Sequence, residues 1–245
     1  MANTDTTGKS EGQRSDGQIP QLFGTDGVRG TAGRYPLDPA TVRRLGAALV
    51  RAQHAGRDPA EPATAALKFL VGRDTRESGA WIEAELAHGA SGEGASVTSV
   101  GVVPTPAVAY LTRTHGYDAG VVISASHNPF EDNGIKVFSG KGEKFTERVE
   151  REVEAILADT SWTARTGESA HVPHADLVGA YLDHLRAVIP ERKALAGFKL
   201  AIDCANGATT TVAPPLFSSM GLDIEVVGDQ PDGRNINLNC GSTHP

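Results

Sequence analysis

Two patterns of apolar residues alternate along this chain: spacings of three to four, and short unbroken runs. In LDPATVRRLGAALVRAQH, Val42, Leu45, Leu49 and Ala52 share one helical face. Asp38 is placed to cap that helix, Pro39 takes its first position and Gly56 ends it. The apolar run ALKFLVG, closed by GRDTRESG, reads as a strand and turn, and residues 81–90, carrying Ile82 and Leu86, as the helix that follows. SVTSVGVV predicts a strand, PTPAVAYLTRT a helix with its prolines near the start, AGVVIS a third strand and IKVF a shorter fourth. AGVVIS is apolar at nearly every position, the composition of a strand covered on both faces. FTERVEREVEAILAD closes the series as a helix with Val149, Val153, Ile156 and Leu157 inward.

Strands alternating with helices predict an α/β fold, a layered α/β/α domain with a mixed sheet over residues 20–160. Residues 1–19 hold almost no side chain that could join a core, so ordering them would cost entropy without burial, and a disordered leader is expected. Residues 161–174 are polar and without pattern, as a linker is. Residues 175–245 open with a helix carrying Leu177, Tyr181, Leu185 and Val188, then repeat the order of strand, acidic strand end, turn, helix and strand in KLAIDCANGATTTVAPPLFSSMGLDIEVVG. A second, incomplete α/β domain of similar type is the expectation. No apolar run approaches the ~20 residues of a membrane span.

Composition narrows the classes of partner. At 39% hydrophobic and 22% charged the chain is ordinary for a globular protein, and its formal charge of -7, with no dense Lys/Arg cluster, lacks the basic footprint of a nucleic-acid binder. A few local Arg and Lys can still grip one small phosphorylated ligand. The two cysteines, Cys204 and Cys240, fit neither zinc nor redox-pair spacing and read as reduced thiols of a cytoplasmic protein.

The segment richest in chemistry is SASHNPFEDNGIK, residues 124–136, immediately after a buried strand. Ligands in open α/β sheets bind beyond the carboxyl ends of strands, which favours this place, although a Ser-His pair in a polar loop is by composition alone more often turn chemistry. Three familiar motifs fail here. Pro129 and Gly140 break the calcium-loop pattern, Gly142 stands where a Walker A loop needs Ser or Thr, and the glycines of GTDGVRG lack the dinucleotide spacing.

FGTDGVRG, GRDTRESG, VPTPAVAYL, ISASHNPFEDNGIKVF, DCANGA and PDGRNINLNCGSTHP occur in an order and spacing that resemble the phosphohexomutase superfamily, with wording most similar to its glucosamine branch. The resemblance implies that Ser126 is held as a phosphoserine, gives its phosphate to a small phosphorylated amino sugar, and takes back the other phosphate of the resulting bisphosphate. Glucosamine 6-phosphate and glucosamine 1-phosphate would thereby interconvert, feeding amino-sugar nucleotide and cell-wall precursor synthesis. It also implies Lys136 as general acid/base, His127 beside the phosphoserine or pinning the loop, and Arg29 with Asn128 on the phosphate. Asn128, Asn133 and Gly134 would shape the loop, while Arg73 and Arg76 would brace the domain through Asp74.

The implied cofactor is Mg2+, held through the phosphate on Ser126 and by three aspartates of an Asp-Gly-Asp-x-Asp-Arg loop. This chain contains no such loop, so it is expected to be a fragment lacking the metal and sugar loops and inactive alone. The rival expectations are a phosphoglucomutase or phosphomannomutase, and a non-catalytic sugar-phosphate binding fragment.

Overall fold

The computed structural model describes residues 21–56, 66–165, 172–189 and 197–244. The expected leader and the middle of the expected linker lie outside them.

A five-stranded mixed sheet in the order β1-β5-β4-β2-β3 organises the first part of the chain. Its strands are β1 (Val28–Thr31), β2 (Lys68–Arg73), β3 (Ser96–Val102), β4 (Ala119–Ile123) and β5 (Asp132–Ser139). β2 runs parallel to both β3 and β4, because helices α2 (Gly79–Gly92) and α3 (Thr105–Thr114) return the chain to the same end of the sheet before each new strand. β5 is antiparallel to β4 and to β1. A direct loop joins β4 to β5, and its register pairs Ile123 with Ile135 and Val122 with Lys136.

Alternate side chains of the central strands feed two cores. Phe69, Val71, Val121 and Ile123 point into one, with Leu45 and Leu49 of α1 (Pro39–Ala55), Ile82 and Leu86 of α2, and Val153 of α4 (Glu147–Ala158). Leu70 and Val122 point into the other, with Val108 and Leu111 of α3 and Tyr181 of α5 (Val178–Val188). Every residue of β4 is buried, as its apolar run predicts.

Helix α1 begins as the sequence suggests: the Asp38 carboxylate accepts from the Thr41 amide at 3.0 Å and the Thr41 hydroxyl at 2.7 Å. Burial alone would raise that carboxyl, but the Thr41 bonds prevail and hold it below its ordinary value. Where α1 crosses α2, Gly46 and Gly89 let the backbones meet: a Cβ on Gly46 would strike the Leu86 carbonyl and one on Gly89 the Arg43 carbonyl.

Three elements depart from the sequence reading. β1 begins inside GTDGVRG, which reads as a glycine turn, and runs on to Thr31, with only Val28 of its four residues buried. β5 begins three residues before IKVF, because Asn133 and Gly134 pair with Gly30 and Arg29 of β1. α4 begins at Glu147 rather than at Phe145, whose ring joins the core instead.

The later part of the chain supplies α5, then the parallel pair β6 (Lys199–Asp203) and β7 (Asp223–Val227), linked through a 3-10 turn at Ala208–Thr211 and helix α6 (Ala213–Ser219). It sits on the first part. The His184 ring stacks on Tyr110 with centroids 4.0 Å apart, and the Thr211 hydroxyl donates to the Val102 carbonyl at 3.1 Å. Cys204 and Cys240 are free, and burial, with Asp203 and for Cys204 also Asp229, pushes both thiols up. Among the described residues no helix is long and apolar enough to cross a membrane.

Candidate active site

β4 ends at Ile123, and Ser124 continues its pairing by donating its amide to the Gly134 carbonyl at 2.9 Å. Gly134 is wedged between strands, so an added Cβ would lie 2.8 Å from the Ser124 oxygen and 3.0 Å from that of Val28. Beyond this point the chain turns sharply. Ser126 takes a left-handed backbone, φ 57°, a costly conformation for a residue other than glycine. Its amide donates to the Ser124 hydroxyl at 3.1 Å, and its side chain stands exposed at the loop tip next to His127, also exposed.

Arg76 holds that turn from inside. Its side chain is 0% exposed and pairs with Asp74, Nε to Oδ2, at 3.0 Å. The rest of the guanidinium donates to three loop carbonyls, Pro129 at 2.7 Å, Asn128 at 2.9 Å and Ser126 at 3.0 Å. Burial pulls the guanidinium below its ordinary pKa, and the Asp74 charge opposes that. The expected brace through Asp74 is therefore built by Arg76. Arg73 does not share it: Arg73 turns to Glu83 at 2.9 Å.

Arg29, Lys136 and Asn128 come together around the turn of residues 24–27. Asp26 lies 3.5 Å from Arg29 Nη2 and 3.7 Å from Lys136 Nζ, and Arg29 Nη1 donates to Asn128 Oδ1 at 3.3 Å. Asn128 in turn donates to Asp132 at 3.0 Å. Arg29 Nε is buried with no hydrogen-bond partner, an unspent donor on a guanidinium whose geometry suits a phosphate. Asn133, fully buried, fixes β5 behind the loop by donating to Ser78 Oγ at 2.8 Å while accepting from the Gly134 amide.

Ser126 and His127 line a cleft of about 390 Å³, within the usual range for small-ligand sites. The strand ends at Asp74, Ser124 and Asp203 form its floor, and Asn237 and Gly241 its far wall. That far wall is the part sequence reasoning missed: Asn237 Nδ2 donates to the Ser126 and Asn128 carbonyls at 2.9 and 3.1 Å. The run of asparagines in NINLNC was the available signal, since Asn tolerates left-handed backbone and carries both a donor and an acceptor. Among the described residues no group of three or more His, Cys, Asp or Glu is placed to hold a metal ion. These side chains do not fit the hard-oxygen shell that magnesium demands.

Residues 20–164 match the family model described as phosphoglucomutase/phosphomannomutase, alpha/beta/alpha domain I. The chain belongs to the phosphoglucomutase/phosphomannomutase family. It is similar to the phosphoglucosamine mutase of Pseudomonas putida, 45% identical over 226 residues that make up 91% of this chain and 49% of that protein. A phosphoglucomutase/phosphomannomutase family protein from Burkholderia thailandensis matches in structure with a TM-score of 0.70 at 25% identity, over 89% of this chain and 46% of the other. The N-acetylphosphoglucosamine mutase of Aspergillus fumigatus, solved in complex with GlcNAc-6P and magnesium, shares the fold with a TM-score of 0.51 at 16% identity, over 94% of this chain and 45% of the other. The chain spans about half the length of the curated relatives it matches.

Proposed function

We propose that this chain is the phosphoserine-bearing part of a phosphoglucosamine mutase, which interconverts glucosamine 6-phosphate and glucosamine 1-phosphate. The observation that carries the reading is the placement of Ser126: exposed over a cleft, on a strand-end turn held by a buried arginine, with Arg29 bonded to Asn128 of the same loop and sharing Asp26 with Lys136. Phosphoryl transfer asks mainly for position and neutralised oxygens, and a loop fixed in this way supplies position.

In the forward half-reaction the bond between phosphorus and Ser126 Oγ breaks as the sugar hydroxyl oxygen bonds to phosphorus. Lys136 Nζ takes the hydroxyl proton. In the return half-reaction the other phosphate passes to Ser126 Oγ and the proton goes back to the sugar oxygen, so one group serves as base and then as acid. Arg29 neutralises the phosphoryl oxygens with its forked donors, Asn128 orients that guanidinium, and His127 borders the phosphate from the loop tip. Among the described residues, only the phosphate carried by Ser126 would hold magnesium, which would supply neutralisation of phosphoryl charge there.

Incubating a protein of the relatives' full length with glucosamine 1,6-bisphosphate should add one phosphate to Ser126, seen by intact mass and peptide mapping, and Ser126→Ala should abolish that gain. In a protein of the relatives' full length, Ser126→Ala should remove isomerisation while leaving the thermal unfolding curve in place. Mutase activity in that variant above a few per cent of wild type would sink the assignment. The family model names glucose and mannose enzymes, and comparing turnover of glucosamine, glucose and mannose phosphates decides between these sugars.

A further inference from the structure

Two oxygens of the serine loop are held twice. The Ser126 and Asn128 carbonyls accept from Arg76 Nη2 inside the domain at 3.0 and 2.9 Å, and from Asn237 Nδ2 across the cleft at 2.9 and 3.1 Å. A carbonyl offers two lone pairs, so the donors do not compete. A left-handed serine persists only where its surroundings over-determine it, and these two donors approach the strained turn from different parts of the chain.

Asn237 is itself built into a rigid mount. At φ 60° it occupies the left-handed region that asparagine tolerates, and its amide donates to the Ala205 carbonyl at 2.9 Å. The Ala205 amide donates to Asp203 Oδ1 at 2.8 Å, while Asp203 Oδ2 accepts from the Gly241 amide at 2.6 Å. Asn206 accepts from the Gln230 amide at 3.0 Å, and its own carbonyl takes the Thr75 hydroxyl at 2.5 Å, which ties the mount to the turn carrying Arg76. DCANGA and NINLNCG thus converge on one amide side chain aimed at the backbone of Ser126.

We propose that Asn237 is a positioning residue for Ser126, locking the serine turn from across the cleft so that its phosphate faces the Arg29 and Lys136 side of the site. The inference rests on Ser126 as the phosphate carrier. It makes the later segment part of the transfer machinery independently of any contact with sugar, and it predicts a defect in turnover rather than in substrate affinity.

Two variants test it. Asn237→Gly keeps the left-handed backbone and removes the side chain, and Asn237→Asp keeps the shape and replaces the donor with an acceptor that repels both carbonyls. In the 245-residue chain, amide exchange at residues 126–128 should accelerate about tenfold in both, the scale of one lost hydrogen-bond clamp, while β4 exchanges as before. In a full-length protein kcat should fall about tenfold with KM unchanged. Unchanged exchange at residues 126–128 in both variants overturns the proposal, as does a rise in KM with kcat preserved, or acceleration in β4 matching that of the loop. Ser126→Ala, run in parallel, separates the two ideas: activity surviving in that variant removes the phosphate carrier, whereas the exchange result judges the lock by itself.

Discussion

Arg73 closes β2 and Arg76 stands three residues on in the turn that follows, yet they do different work. Arg73 is partly exposed and pairs with the buried Glu83, while Arg76 is enclosed and spends its donors on Asp74 and three carbonyls. A lysine at position 76 keeps the charge but loses the planar fork, and its three donors cannot serve all four of those acceptors. Arg76→Lys should therefore cost about 3 kcal/mol, the scale of a broken buried ion pair, read from the urea midpoint at constant m. A loss under about 1 kcal/mol would mean that the loop carbonyls find other donors and that Arg76 is not what holds the turn. The sequence shows the motif and its likeness to phosphate enzymes, but which arginine turns inward depends on where the β4–β5 loop passes, and that is a long-range fact.

At the scale of elements, the pair α1 and α2 shows packing overruling propensity. Alanine is the better helix former by about 1 kcal/mol, so Gly89→Ala would stabilise an isolated helix. Here a Cβ would overlap the Arg43 carbonyl, which is backbone and cannot swing aside. The helices would have to separate, opening the core that Leu45, Leu49, Ile82 and Leu86 fill. Gly89→Ala should thus lower stability by about 2 kcal/mol or more, the overpacking range, and a variant at least as stable as wild type in thermal denaturation would refute the close approach. The helices themselves were legible, because the apolar period of α1 and the cap at Asp38 are local signals. β1 was not: Val28 is its only buried side chain, and it exists because β5 offers an edge on the far side of the sequence. The candidate site divides in the same way. Ser126, Lys136 and Arg29 were marked by motif and Asn237 was not, since its target lies more than a hundred residues away.

Across the whole molecule, the seam between the earlier and later parts of the chain combines an apolar patch with polar links. Tyr181 is buried in the core that contains Leu70, Val108 and Leu111, whereas the ion pair of Glu77 with Arg234, though only 2.7 Å long, is exposed on both sides. Burial should dominate. Tyr181→Ala is expected to cost about 3 kcal/mol and to expose α5 and the segments after it to protease first, while Glu77→Gln should change stability by less than about 1 kcal/mol. Equal losses from the two substitutions would show a seam held by charge. Because β6 and β7 meet the first domain through this seam, what loosens it also moves the wall that carries Asn237.

The pairing of Val122 with Lys136 turns the distance between Ser126 and Lys136 into a matter of parity. Side chains along β5 alternate between faces, and Ile135 and Val137, the neighbours of Lys136, are both buried. One residue added or removed between the serine turn and that pair would slide β5 by a single step, sending the lysine into the core and a branched apolar side chain out to the face beside Asp26. The hairpin can therefore absorb changes of letter far more readily than changes of length, and under the proposed mechanism its residue count matters as much as the amine it delivers.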